Sequence, residues 1–460
     1  MAAILDRLFR PKRQSVRRFD AAGGGRRWDM RPSFGRTGPE TLAASAPIRS
    51  RARYFVANDG WAANGVNALV TGLVGAGIVP ASAHPDETIR AMIAERHTAW
   101  AARADAEGRT NLYGLQASMA RDLVVDGEAF AVLETGADGL KIRRLPAEMV
   151  DEADTRELDN GGYVVAGIEF DAAGRRVAYH ILPNRPTSVF ASTGPSVRVP
   201  AERVLHVMVP LGPGQVRGVS WLAPVLLKLS ELNALEDALL VGAKVAALHA
   251  GFLVDQNGTG NLPVEGDQRG SVLESGLEPG TLRFLPSGFD IKFSTPQHAQ
   301  QTAEFVSHQI RAVAAGLGVP AHLVSGDLRD ANYGSLRAGM IAFRQRLEAI
   351  QFNSLIPQFC APVFERAVMA LILSGDTDAP DFERDPGAYL AAEHYPPAMP
   401  WLDPAKDVNA TVTAIEAGLM SRRQAVAERG YSVEALDREI AADRKREAAL
   451  ALNLQESRNV

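Results

Sequence analysis

One segment constrains the architecture of this chain more than any other. Residues 220–254, SWLAPVLLKLSELNALEDALLVGAKVAALHAGFLV, form its longest helical pattern. Apolar residues fall on nearly every side of that helix, whereas a surface helix carries one apolar stripe. Ser220 is a candidate N-cap, and Pro224 lies near the first turn, where proline is tolerated. We expect this helix to be buried against more than one neighbour, with other subunits among the candidates.

Composition narrows the class of protein. A length of 460 residues allows about three domains. Apolar residues make up 46% and charged residues 22%, which is typical of a globular chain. The single cysteine, Cys360, excludes an internal disulfide framework and multi-cysteine metal sites, and its apolar neighbours predict a buried, inert thiol. No apolar run reaches about 18 residues and no secretory leader is recognised, so we expect a cytoplasmic protein without a membrane span.

Charge is unevenly distributed along the sequence. Residues 1–53 hold 13 basic and 4 acidic residues, a net charge of +9. The remaining chain holds 36 basic and 50 acidic residues, a net charge of −14. A flexible solvated arm and an arm that touches nucleic acid or an acidic neighbouring subunit both fit this pattern. The overall net charge of −5 argues against a protein coated in positive charge for binding nucleic acid.

The first half of the chain predicts mixed secondary structure. We expect helices on both sides of a break at residues 58–60, a helix stop and then a strand after GLVGAG, and helices over 85–107 and 112–126. Short strands follow between residues 128 and 210, with a hairpin turn at 171–174. This order of elements indicates an α+β region.

The second half reads as mostly helical. The pattern predicts a helix over residues 296–317, a polar stretch at 325–335 and a long helix over 336–374. Pro357 and Pro362 should kink that long helix. Two or three polar helices should follow over residues 404–450.

Catalytic signatures are missing from the sequence. It contains no GxxxxGK[ST], HExxH or GxSxG pattern. Histidines such as His206 and His249 are isolated and fit structural roles. The acidic run at residues 151–159 could bind a divalent metal, but a solvated loop is the stronger interpretation. We expect no enzyme activity, no cofactor and no metal, and hence no hydrolysis of ATP or DNA.

Four blocks carry a family resemblance: residues 49–80, 214–248, 277–351 and 401–430. RGVSWLAP and YGSLRAG are their most specific stretches, and Gly334 stands where family members often have serine. In this order, over about residues 45–450, the chain resembles the portal proteins of tailed bacteriophages, of the lambda-type family. The resemblance implies a phage portal fold that assembles into a ring, typically dodecameric, at one capsid vertex. DNA would be packaged and ejected through the channel of that ring.

The resemblance also assigns the parts of the fold. It implies a flexible basic arm (1–45), a wing (46–219), a stem helix (220–252), a clip (253–295), a second stem helix (296–324), a tunnel loop (325–335), a long kinked helix returning to the wing (336–400) and C-terminal crown helices (401–460).

Three groups of site residues follow from the same resemblance. The tunnel loop would face DNA in the channel with Asp327, Leu328, Arg329, Asp330, Ala331, Asn332 and Tyr333. The stem would present Lys228 and Lys244, and the clip would dock its partners through Asp267, Gln268 and Arg269. A mobile loop would use Gly326 and Gly334 as hinges. The alternative is an ordinary helix–helix connection.

The implied partners are other copies of this chain, double-stranded DNA, the terminase large subunit, the major capsid protein, a scaffold and the head–tail adaptor. No membrane is among them, and the location would be the virion, with the host cytoplasm during assembly. The sequence leaves two alternatives: a related head component of a prophage or gene-transfer particle, and a nucleic-acid-processing enzyme. Averaged particle images separate the enzyme from the ring, because only a ring has a central hole.

Overall fold

A computed structural model describes residues 36–136, 138–184, 194–248, 252–255, 267–269, 272–274, 289–292, 299–329, 332–398, 403–450 and 452. Its helices and strands form an α+β fold that is mostly helical.

The N-terminal part of the body is a helical layer. It contains α1 (Thr37–Asn58), α2 (Gly60–Val74), α3 (Glu87–Ala101) and α4 (Leu112–Val125), and α2 packs lengthwise on α4. The predicted break between α1 and α2 is confirmed, because Asp59 is extended and its side chain accepts a hydrogen bond from the backbone N–H of Ala62.

The start of α1 corrects the predicted limit of the arm at residue 45. Thr41 and Ser45 are buried, and their hydroxyl groups donate to carbonyls one turn earlier in the helix. The first turn also lies against the loop around Gly212 and Gly214. This packing makes residues 37–45 part of the body, while residues 1–35 of the predicted arm lie outside the described residues.

One antiparallel sheet lies against this layer, and a second antiparallel sheet packs on the first. The inner sheet has the order β3-β2-β9, from β2 (Glu128–Gly136), β3 (Gly139–Leu145) and β9 (Val204–Met208). The outer sheet is a meander of β4 (Arg156–Glu157), β5 (Tyr163–Val165), β6 (Ile168–Phe170), β7 (Arg176–Ile181) and β8 (Val197–Pro200). The predicted turn at 171–174 joins β6 to β7, where Gly174 has φ of 77°. A separate strand, β1 (Val79–Ser82), follows the predicted stop of α2.

The C-terminal half supplies most of the helix. It contains α5 (Leu226–Leu248), α6 (Ala299–Leu317), α7 (Ala321–Ser325), α8 (Tyr333–Ile350), α9 (Ala361–Leu373) and α10 (Pro386–Leu390). Strand β14 (Ala392–Tyr395) pairs with β1, and α11 (Pro404–Glu416), α12 (Arg422–Ala427) and α13 (Val433–Ala449) follow. These last three helices confirm the prediction for residues 404–450.

Between α5 and α6, the described residues form four short strands. Strand β10 (Phe252–Asp255) pairs with β13 (Phe289–Lys292), and β11 (Asp267–Arg269) pairs with β12 (Val272–Glu274). The predicted clip covers this segment, and the rest of it lies outside the described residues.

Helix α5 begins six residues later than predicted. The Ser220 hydroxyl accepts from the N–H of Leu222, and residues 221–225 form a turn. The N–H of Trp221 donates instead to the carbonyl of Val124 at the end of α4. This contact fixes the chain in a turn, so Ser220 is not the N-cap of α5.

The two prolines of the long helix act differently. Pro357 lies inside a π-helical segment, Gln351–Cys360, that joins α8 to α9. The wider turn accommodates a residue that cannot donate a hydrogen bond. The predicted kink at Pro357 stays a prediction. Pro362 lies in the first turn of α9, and the helix continues through it without a break.

By length and composition alone, the helical run 333–373 is apolar enough to cross a membrane. This is weak evidence for a membrane span, because the core helix of a globular protein can have the same length and composition. Phe343, Leu347, Phe359 and Val363 bury one side of this run in the main core.

A buried ion pair joins the sheets to the segment that leads into α5. Glu128, the first residue of β2, and Arg217 are both fully buried, with Arg217 Nη2 at 2.7 Å from Glu128 Oε1. Glu128 also accepts from the N–H of Gly218 at 2.7 Å and contacts His206 Nε2 at 3.2 Å. Arg217 donates further to the carbonyls of Ala147 and Ala166 beside the outer sheet.

This environment sets the charge state of Glu128. Burial alone raises the pKa of a carboxyl group, but the charge of Arg217 and the hydrogen bond from His206 lower the pKa of Glu128 to about 2. Burial lowers the pKa of His206, although Glu128 opposes that effect. The pair is therefore a charged Glu–Arg pair at neutral pH.

Glu128→Gln should lower the free energy of unfolding by about 3–5 kcal/mol, because the buried charge of Arg217 loses its closest carboxylate and is left with Glu152, whose Oε1 lies 3.4 Å from Arg217 Nη2. Glu134→Gln is the matched control on the same strand. Its pair with Arg143 is more than a third exposed, so the loss should stay below about 1 kcal/mol. Urea denaturation measures both values, and equal effects of the two substitutions would contradict the assigned role of Glu128.

The same prediction has a pH signature. The folded-state pKa of Glu128 lies below its ordinary value of 4.5, so its contribution is complete above that pH. As the pH falls from 4.5 toward about 2, the contribution is lost. The difference in stability between the wild type and Glu128→Gln should narrow over this interval.

Candidate functional site

The surface of α5 changes character along its length. Leu226, Leu229 and Leu232 in its first half are buried in the main core. In the second half, Leu240 and Val241 are 54% and 57% exposed, and Leu239 is 37% exposed. These three consecutive residues are about 100° apart around the helix axis, so together they surround more than half of the helix; we refer to Leu239, Leu240 and Val241 as the apolar α5 face. Among the described residues of one subunit, no element covers this face.

Helix α6 is held tightly against the turn that precedes α5. A Cβ atom at Gly316 would lie 2.3 Å from Cγ1 of Val225, which is itself fully buried. Val225 has a stiff β-branched side chain, so neither partner can move away easily. The turn that leads into α5 and the C-terminal end of α6 are therefore fixed together by close packing at Gly316.

An apolar groove lies beside the apolar α5 face. It has a volume of about 1040 Å³ and is formed by α5, α6, α7 and the start of α8. Its lining includes Leu239, Val306, Ile310 and Leu336, and Asp327 and other polar residues of the α7–α8 connection line it as well. Phe305, next to the groove on α6, is 51% exposed.

The α7–α8 connection contains the predicted tunnel loop. Gly326 adopts a left-handed conformation with φ of 69° at the C-cap of α7, where its N–H donates to the carbonyl of His322; its role as a hinge stays a prediction. Arg329 Nη2 lies 2.7 Å from Asp327 Oδ2, and the N–H of Arg329 donates to Asp327 Oδ1. These bonds lower the pKa of Asp327 to about 2. Leu328 between them is exposed.

The far end of the loop is shorter than predicted. Asn332 caps α8: its side chain accepts from the N–H of Ser335, whose hydroxyl accepts from the N–H of Asn332. This capping box starts the helix at Tyr333, so Tyr333, Gly334 and Ser335 are helical and Gly334 is not a loop hinge. Asp330 and Ala331 lie outside the described residues.

Tyr333 is tied to the C-terminal helices. Its hydroxyl accepts from Arg337 Nη1 at 2.9 Å, and Lys406 of α11 lies 5.9 Å from its ring centroid. Arg337 in turn pairs with Asp407 of α11. The start of α8 is therefore linked to α11 through side chains that the sequence pattern did not connect.

The remaining predicted site residues fall on two elements. Lys228 and Lys244 are both exposed on α5. Asp267, Gln268 and Arg269 form the whole of strand β11, and their side chains lie outside what the structure describes.

Sequence reasoning missed the ion pair of Arg217 and Glu128. The available signal was Arg217 in RGVSWLAP, a charged residue directly before a long apolar segment. The predicted burial of Cys360 is confirmed, and burial raises the pKa of its thiol to about 12. The described residues include no group of three or more His, Cys, Asp or Glu side chains placed to hold a metal ion.

Comparison with known proteins identifies the family. The family described as phage portal protein, lambda family, matches residues 24–351, which is more than half of the sequence. The chain belongs to the lambda family of phage portal proteins. The family predicted from RGVSWLAP, YGSLRAG and the other blocks is therefore confirmed.

The chain shares low sequence identity with three similar proteins. It is 26% identical over 388 residues to the probable portal protein of Halomonas phage phiHAP-1, covering 80% of this chain and 74% of that protein. A chain from the virion of a native gene transfer agent particle is 15% identical, with a TM-score of 0.45 and coverage of 85% and 94%. An HK97 family phage portal protein from Corynebacterium diphtheriae is 15% identical, with a TM-score of 0.28 and coverage of 82% and 99%.

Gly316→Ala should destabilise the portal protein by about 1–3 kcal/mol, because the added methyl group overpacks the contact with Val225. Gly339→Ala in α8 is the matched control. Nothing lies within 4 Å of its added Cβ, so the better helix propensity of alanine should make it neutral or stabilising by up to about 1 kcal/mol. Thermal unfolding at one protein concentration measures both, and a stabilising Gly316→Ala would contradict the close packing.

Proposed function

We propose that this portal protein forms a ring whose subunits cover one another's apolar α5 faces, and that double-stranded DNA passes through the channel of that ring. The observation that carries the proposal is the apolar α5 face itself. Leucine and valine side chains that are about half exposed on one helix need a partner, and the adjacent groove offers apolar surface of the same kind.

The geometry supports a repeating contact between identical subunits. The apolar α5 face and Phe305 are distinct surface features of one chain, so the contact would join unlike surfaces of neighbouring subunits. Contacts of unlike surfaces generate closed rings when the rotation between subunits closes. A dodecamer at a capsid vertex is the proposed state.

We assign the parts of the ring as the family resemblance implies. Residues 37–219 form the wing, α5 and α6 form the stem, and the strands β10–β13 belong to the clip. Residues 326–332 form the tunnel loop, and α11–α13 form the crown. Asp267, Gln268 and Arg269 on β11 would then dock the terminase large subunit and later the head–tail adaptor.

The charge balance supports a conduit over a tight binder of DNA. Each phosphate that a protein neutralises releases counterions and strengthens binding. In the tunnel loop, Asp327 pairs with Arg329 and offsets its charge. Lys228 and Lys244 are exposed on α5 and would supply a limited attraction along the stem. DNA could then slide through the channel without being held.

The remaining partners are proposed on the same basis. The major capsid protein and a scaffold would contact the ring during assembly in the host cytoplasm, before the ring becomes part of the virion. The proposed physical role is the same in a phage, a prophage product or a gene transfer agent; only the biological context differs.

Leu240→Glu should prevent ring assembly, because a carboxylate would be buried at the subunit contact. Leu240 is 54% exposed in one subunit, so the folded subunit should keep its stability. Leu211→Glu is the control, because Leu211 is 70% exposed and lies in the connection between β9 and α5, outside the helix itself. Native mass measurement and averaged particle images should show rings for the control and single subunits for Leu240→Glu; rings for both would contradict the proposed contact.

Replacing residues 328–331 by a Gly-Ser segment of equal length should leave ring assembly intact and reduce the yield of DNA-filled particles. The replacement keeps Asn332, which caps α8, so the helix behind the loop is preserved. The matched control is Leu328→Ala alone, which keeps the Asp327–Arg329 pair. Quantification of encapsidated DNA tests this prediction, and normal filling would exclude an essential role for the loop.

A further inference from the structure

A second groove lies between α3, the β2–β3 hairpin and α9. Its volume is about 940 Å³. Trp100 and Leu140 line its floor and are buried, with Trp100 Nε1 donating to the carbonyl of Leu140 at 2.8 Å. Leu373 at its edge is 76% exposed, so a large apolar side chain stands open at the rim.

The rim of this groove carries net positive charge in a protein that is acidic overall. It contains five basic residues, Arg96, Arg103, Lys141, Arg203 and Arg366, and three acidic ones, Asp138, Glu202 and Asp376, a net charge of +2. Lys141 donates to the carbonyl of Arg103, and Arg203 donates to that of Leu133. Arg96, Arg103 and Arg366 are exposed and form no ion pair with any residue that the structure describes.

We propose that this groove binds an acidic, amphipathic peptide segment of another protein. The unpaired arginines would contact carboxylates of that segment, and the floor beside Leu373 would take one of its apolar side chains. Aromatic or aliphatic anchors in a pocket, with charge complementarity at the rim, are the usual basis of such recognition.

Charge also separates this occupant from the alternatives. Residues 1–35 of this chain hold 9 basic and 3 acidic residues, so the like charge of the rim disfavours them. Double-stranded DNA carries only negative charge, and the three carboxylates that line the same groove oppose a phosphate backbone. An apolar floor adds nothing to phosphate binding, whereas it suits a peptide with a large apolar residue.

The test uses the full-length protein and a random library of peptides of about 12 residues. Selected peptides should be rich in Asp and Glu and contain at least one large apolar residue. They should bind Arg96→Glu/Arg366→Glu at least about tenfold more weakly and lose affinity as salt is added. Leu373→Ser should weaken the same peptides without lowering stability, because Leu373 is mostly exposed. Arg444→Glu on α13, an exposed arginine outside the groove, should leave binding unchanged.

Four outcomes would overturn the proposal. Peptides without an acidic bias, or peptides that bind the double variant equally well, would show that the arginines do not determine binding. Short duplex DNA that binds with the same dependence on Arg96 and Arg366 would make the groove a nucleic-acid surface. Loss of peptide binding on ring formation would show that a second copy of this chain occupies the groove. Ring assembly is measured separately, so these results are independent of the channel function.

Discussion

The buried pair of Glu128 and Arg217 determines how the sheets and the helices of this protein meet. Arg217 reaches Glu128 on the inner sheet and two carbonyls beside the outer sheet. It lies only a few residues before the turn that leads into α5. A buried charge pair is costly in free energy unless its hydrogen bonds are complete. Here those hydrogen bonds hold the pair in one geometry. The direction in which α5 leaves the body therefore depends on this pair.

Close backbone packing fixes the same junction. A Cβ atom at Gly218 would lie 2.3 Å from the carbonyl oxygen of Gly127, so both chains approach closely at these glycines. The turn at 221–225 is then tied to α4 through Trp221, and Gly316 brings α6 against Val225. These contacts fix the junction, and the described part of α5 extends from it with Leu240 and Val241 about half exposed in one subunit. A rigid base and an uncovered apolar end together suit a subunit that assembles with copies of itself.

The sequence predicted which helices and strands the fold contains better than it predicted where they begin and end. Periodicity located α2, α4 and α6 within a few residues, because their apolar faces repeat regularly. It failed at the start of α5, where a hydrogen bond from Trp221 to α4 overrides the capping signal of Ser220. It also failed at Tyr333, because the capping box of Asn332 and Ser335 lacks the usual Glu or Gln. The first error arises from a contact between distant segments, and the second from a local cap of unusual composition.

The candidate site was predicted by resemblance more than by chemistry, for a physical reason. A conduit needs no catalytic group, so it leaves no pattern of nucleophile, base or metal ligand in the sequence. Its requirements are a surface that neighbours can cover and a channel that attracts DNA only weakly. A ring multiplies each exposed charge by the number of subunits, so one unpaired arginine per loop would become a collar of positive charge. The bond between Asp327 and Arg329 offsets that charge within each subunit before it can be multiplied. Local pairing in the loop is therefore a condition for DNA to move through the proposed channel.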